Sequence, residues 1–171
     1  MIERLAEQDG LRSGALYSDC ECYRYGLWRR WGAGREVLYV MLNPSTATEL
    51  ANDPTIERCQ RRAVQLGFGA MKIANLFAYR ATHPKDLLRA ADPVGPDNDA
   101  VLFDWAAQAG MTLAAWGVHG AHQGRGPSLA RALPGAVCHL GLTRDGHPRH
   151  PLYVSYATQP QAWRQEDRYA E

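Results

Sequence analysis

The chain has 171 residues, 46% of them hydrophobic and 22% charged, which is the composition of a globular domain and not of a disordered or fibrous chain. Its formal net charge of +1 excludes a strong whole-molecule field for drawing in nucleic acid or membrane surfaces. No apolar run reaches the ~18 residues of a membrane span, and the charged start Met1-Ile2-Glu3-Arg4 lacks a signal-peptide core, so a single cytoplasmic domain over 1–171 is expected.

Residues 1–19 show no firm period and read as an N-terminal arm or short helix. Cys20 to Trp31, rich in Tyr, Trp and Cys, reads as a strand. Gly32-Ala33-Gly34 turns the chain into the apolar stretch Glu36 to Leu42, which predicts an antiparallel strand–turn–strand pair. The second strand stops at Asn43-Pro44-Ser45, because proline cannot continue a hydrogen-bond ladder. Asn52-Asp53-Pro54 then caps a helix on which Ile56, Cys59, Ala63 and Leu66 recur at helical steps up to Gly67.

Ala70 to Phe77 is a further apolar strand, interrupted by Asn75, and a short helix is expected to run through Leu88. After the rigid connector Asp92-Pro93-Val94-Gly95-Pro96, a helix from about Asp97 presents Val101, Leu102, Trp105 and Ala106 on one side. Met111 to Trp116 and Ala136 to Leu140 read as two more strands, with a short helix over 127–133 between them. A loop holding His147 and His150 comes next, and 158–171 reads as a C-terminal tail. Strands alternating with helices predict an α/β fold with a mostly parallel sheet covered on both faces.

In such sheets ligands bind outside the carboxyl ends of the strands. Asn43, Asn75, Gly117 and the pair His147 and His150 fall at or beyond those ends. Asn43 either holds a water through its amide oxygen or closes its own loop as an Asx turn. Asn75 needs partners for a buried amide, from the neighbouring backbone or from the edge of a nucleobase. A histidine of the Gly- and Pro-rich loop can donate to a developing oxyanion, or it can simply be solvated.

Arg29-Arg30 and Arg58, Arg61 and Arg62 read first as solvated faces, with phosphate contacts as the rival reading. Cys20, Cys22, Cys59 and Cys138 read as reduced thiols without a zinc spacing. His119-x-x-His122 and His147-x-x-His150 lie in loops with no Cys or acidic ligand at a recognised spacing, so no metal is expected. The glycines after the third central strand spell no dinucleotide or P-loop fingerprint, and no cofactor is expected.

The motifs Met41-Leu42-Asn43-Pro44-Ser45-Thr46-Ala47, Asn52-Asp53-Pro54, Ala74-Asn75-Leu76-Phe77-Ala78-Tyr79-Arg80, Ala115-Trp116-Gly117 and Gly146-His147-Pro148-Arg149-His150-Pro151-Leu152-Tyr153 together resemble a bacterial family of unknown function, number 1643. The order of parts is also similar to the uracil-DNA glycosylase superfamily. That resemblance implies a three-layer α/β/α sandwich with a short, mostly parallel central sheet. It implies that Asn43 positions the attacking water, that Asn75 reads the base, and that His147 or His150 steadies the departing base anion. Pro44, Ser45, Tyr79, Arg80, Gly117 and Leu152 complete the expected substrate-binding set. The expected function is nucleobase recognition, with N-glycosidic cleavage of DNA or of a nucleoside. The rivals are a catalytically silent nucleotide- or nucleic-acid-binding module and an enzyme of free nucleosides or nucleotides.

Overall fold

The structure, a computed structural model, describes residues 1–169. Its first two strands, β1 (Ile2–Gln8) and β2 (Leu11–Tyr17), form a hairpin in the stretch that reads from sequence as an arm or short helix. The turn is Asp9-Gly10, both residues at positive φ (52° and 79°), with Gln8 opposite Leu11. That is the backbone a two-residue hairpin turn demands, and Asp-Gly is a preferred sequence for it.

Next come β3 (Arg24–Arg30), β4 (Glu36–Met41) and, after the helix α1 (Pro54–Gln65), β5 (Ala70–Asn75). The expected antiparallel pairing of β3 with β4 does not form. Instead β5 lies between them, antiparallel to β3 and parallel to β4. Gly69 makes the insertion possible: its carbonyl accepts from the Trp31 and Gly32 amides, its amide donates to the Arg35 carbonyl, and an added Cβ would stand 2.1 Å from the Ala33 oxygen.

The chain continues through α2 (Pro84–Arg89), α3 (Asn98–Gln108), β6 (Met111–Ala114), α4 (Arg125–Ala132), β7 (Val137–His139) and β8 (Gln161–Ala162). Among the described residues eight strands share one sheet in the order β1-β2-β3-β5-β4-β6-β7-β8. The fold is mixed α/β. Pairings of β4 with β5 and β6, and of β6 with β7, are parallel, whereas the other four are antiparallel. The expectation of a short, mostly parallel sheet is corrected by the hairpin and β3 on one side and by β8 on the other.

Alternation along the strands divides the core. Val37, Tyr39, Met41, Met71, Ile73 and Leu113 cluster with Ile56, Cys59 and Ala63 of α1. Leu38, Val40, Ala74 and Ala114 cluster with Val101, Leu102 and Trp105 of α3 and with Leu129 and Ala130 of α4. Helix α1 starts as expected: Asp53 is its N-cap, an Asp53 Oδ1 accepts from the Ile56 amide at 2.9 Å, and Pro54 opens the first turn. Among the described residues no helix is long and apolar enough to cross a membrane.

Two arginines on α1 have a role that the sequence does not announce. Arg62 is 1% exposed and donates to the Thr158, Val154 and Ser155 carbonyls, and Arg58 donates to the Pro151 and Val154 carbonyls. They fasten 151–158 to the helix and are neither a solvated face nor free for phosphates. Arg61 is exposed and pairs with Glu57. Arg29, buried, donates to the Thr48 carbonyl and to the Asn52 Oδ1, while Arg30 pairs with Glu36.

Candidate functional site

A cavity of about 160 Å³ opens where β4 and β5 end beside the first turn of α1. Met41 lies opposite Asn75 in the parallel ladder, so the segment leaving β4 stands next to the end of β5. Asn43, Asn75 and His150 all line this cavity, together with Ser45.

Asn43 is held by its nitrogen. Nδ2 donates to the Pro44 carbonyl at 2.9 Å and to the Ala81 carbonyl at 2.8 Å. Both amide hydrogens are thereby used, which leaves Oδ1 as the acceptor end of the side chain. This is more than a local Asx turn, because the second partner lies beyond β5.

Asn75 is 1% exposed, and its Nδ2 has no hydrogen-bond partner among the described residues. Its main chain, in contrast, is secured: Asn98 Nδ2 donates to the Asn75 carbonyl at 2.9 Å and to the Leu76 carbonyl at 3.2 Å. An unmade hydrogen bond on a buried polar group costs about 1–3 kcal/mol. The backbone therefore fixes the position of an amide whose own donor is left open.

His150 caps the 3₁₀ turn Pro151–Tyr153, its Nδ1 accepting from the Leu152 amide at 3.3 Å. Burial lowers its pKa below the ordinary histidine value, and the nearby Asp53 carboxylate opposes that only in part. A neutral ring that accepts at Nδ1 carries its proton at Nε2, so His150 is a hydrogen-bond donor at that nitrogen. Leu152 acts here through its backbone, and Gly117, at φ 71°, lets an added Cβ come no nearer than 3.7 Å to the His150 Cβ.

His147 is elsewhere. Its Nδ1 is 2.9 Å from the Tyr169 hydroxyl, which also accepts from Trp116 Nε1 at 3.1 Å. Of the two loop histidines, the geometry puts only His150 on the cavity. Tyr79 forms a bridge with Tyr23, and Arg80 donates to the Glu21 carbonyl and lies over the Tyr17 ring. Neither lines the cavity, and Pro44 contributes only its carbonyl as a partner for Asn43 and for the Ala81 amide.

Two charged residues that sequence reasoning does not assign to the cavity also line it, Arg24 and Asp53. Asp53 reads from sequence as a helix cap, and a cap that comes after a strand end necessarily sits on the ligand side of the sheet. That signal is present in the sequence. Arg24 lies unmarked in a run that reads as a strand. It is 2% exposed, its Nη1 donates to the Ala47 carbonyl, and its Nε has no partner. Burial pulls its pKa down to about 10, against the support of Tyr17 and Asp53. Thr55 and Thr82 add hydroxyls to the rim. Among the described residues no group of three or more His, Cys, Asp or Glu side chains gathers as a metal site.

The family model for "Protein of unknown function (DUF1643)" matches residues 24–152. The chain belongs to that family. Every residue lining the cavity falls inside the matched span, whereas β1, β2 and Tyr169 fall outside it. No curated protein matches the chain.

Proposed function

We propose that this cavity recognises a nucleobase and that the reaction is hydrolysis of its N-glycosidic bond, in DNA or in a nucleoside. The observation that carries the reading is the meeting of Asn43, Asn75 and His150 on one small cavity. At about 160 Å³ it suits a single ring system, since drug-sized ligands occupy about 300 Å³ or more. A base inside a duplex has to leave the stack to reach such a site.

In this reading a water held by Asn43 Oδ1 attacks C1′. The C1′–N bond breaks, its electron pair leaves on the base, and the proton lost by the water passes to the Asp53 carboxylate. His150 Nε2–H and the Asn75 amide donate to the base anion as charge develops on it, the kind of interaction that stabilises a transition state most. A likeness to the three-layer uracil-DNA glycosylase fold belongs to the same proposal. What supports it is the parallel run β5-β4-β6-β7, with the candidate residues just after β4, at the end of β5 and beyond β7.

The experiment is a panel of oligonucleotides and nucleosides carrying uracil and modified or mispaired bases, scored for free base and abasic product. Release of a base supports the reading. Tight binding of a base with no release from any substrate would instead make the chain a catalytically silent binding module.

A further inference from the structure

Arg24 sits in the wall of the cavity with almost no solvent contact, at 2% exposure. Among the described residues it forms no ion pair with any carboxylate. One terminal nitrogen donates to the Ala47 carbonyl, and Nε donates to nothing. A buried charge is strongly unfavourable unless it is paired and hydrogen-bonded. Guanidinium cannot shed its proton at neutral pH, even with burial drawing its pKa down to about 10. Tyr17 and the Asp53 carboxylate support the charge from a distance without bonding to it, and Arg80 and Arg29 push against it.

Asn75 repeats the pattern on the same cavity, its buried Nδ2 without a partner. The first turn of α1 also faces the cavity through Asp53, Thr55 and Ile56, and a helix N-terminus favours negative charge. Asp53 opposes an anion there, but one of its oxygens is committed to capping the Ile56 amide. Two buried donors on this wall, Arg24 Nε and Asn75 Nδ2, are therefore left without an acceptor.

We propose that Arg24 and Asn75 form an oxyanion subsite, so that the ligand of this cavity carries a compact anionic group with neighbouring acceptor atoms. Arg24 offers a planar fork of donors, which matches such a group better than a point charge would. A carboxylate, a phosphate and the edge of a base that has lost its imide proton share this chemistry. The inference rests on reading the cavity as a ligand site and adds the charge of the group that enters it. It also makes Arg24 a residue retained for the ligand at a cost to the free protein.

The test titrates the full chain separately with uracil, acetate and inorganic phosphate, following backbone amide resonances of Arg24, Asp53, Thr55, Ile56 and Asn75. At least one probe should saturate these shifts, and which one does so identifies the source of the anionic group. Arg24→Gln should weaken that probe at least tenfold, and Arg24→Lys should recover part of the loss. Arg24→Met should melt at or above the temperature of the parent, because it removes a buried unpaired charge. Saturation by none of the probes, equal affinity in Arg24→Gln, or a sharply lower melting temperature in Arg24→Met would each overturn the subsite. Asn43→Ala separates the two proposals: it should abolish base release while leaving probe binding in place. Probe binding that depends on Arg24, in a chain that releases no base from any substrate, keeps the subsite and removes the glycosidic reaction.

Discussion

Replacing Arg62 by Met cuts three of the bonds that hold the segment after His150 to α1, leaves those of Arg58, and does not touch the cavity. Arg62 gives three hydrogen bonds, to the carbonyls of Thr158 at 2.9 Å, Val154 at 3.0 Å and Ser155 at 2.9 Å. Bonds from a charged donor are worth about 1.5–3 kcal/mol each, so a simple sum would run to roughly 4.5–9 kcal/mol. Two corrections reduce it. Val154 keeps Arg58 as a donor and Ser155 keeps the Thr158 amide, so only Thr158 loses its sole protein partner. Methionine also relieves the burial of a guanidinium whose Nε has no partner. The net loss should be about 2–3 kcal/mol by chemical denaturation, or roughly 5–10 °C in Tm for a domain of this size. Amide exchange over 151–158 should rise with it, since the segment becomes locally openable. A loss below about 0.5 kcal/mol, or unchanged exchange in that segment, would refute the view that Arg62 staples the loop.

Single contacts give the other expectations. Gly69→Ala should cost at least 2 kcal/mol, roughly, because its Cβ would stand 2.1 Å from backbone, and a neutral effect in a denaturant titration would contradict the packing of β5 between β3 and β4. Asn43→Asp should destabilise by about 1–3 kcal/mol, since it sets a carboxylate against the Pro44 and Ala81 carbonyls that Nδ2 now satisfies; an unchanged midpoint would mean that those two bonds are not made. Burial holds the folded pKa of His150 below its unfolded value of about 6.5, so the unfolded chain takes up a proton first. Stability is then complete above about pH 6.5 and falls as pH drops through that value toward the folded pKa; His150→Gln should flatten this slope, and an identical pH profile would contradict the assignment.

Several elements are legible in the sequence because local chemistry decides them. Asp53-Pro54 marks the start of α1, and the apolar run Val37 to Met41 of β4, with the largely apolar β5 that Asn75 ends, marks strands with both faces covered. The hairpin β1–β2 is legible too, in Asp9-Gly10, but the charged alternation around it hides it. Pairing partners are not legible. Gly32-Ala33-Gly34 is a sound turn for a hairpin, yet nothing local says that β5 will enter between β3 and β4, because that choice is made by long-range burial. At the site, Asn43 and Asn75 stand out as amides at apolar strand ends, and the structure brings them to one cavity. Arg24 does not stand out, since an arginine beside two tyrosines in a strand looks like an edge residue until its burial is known. The two histidines can be separated only by the fold, which gives His147 to Tyr169 and His150 to the cavity.

The most direct test of the central claim is base release by His150→Ala beside His147→Ala, on whichever substrate of the panel the parent chain cleaves. Loss of an oxyanion donor costs roughly 100- to 1,000-fold in rate, so His150→Ala should fall by that much, while His147→Ala, whose ring partners Tyr169, should stay within about tenfold of the parent. An equal effect of the two substitutions, a larger one from His147→Ala, or no base release by the parent from any substrate would contradict the assignment of this cavity as a glycosidic active site.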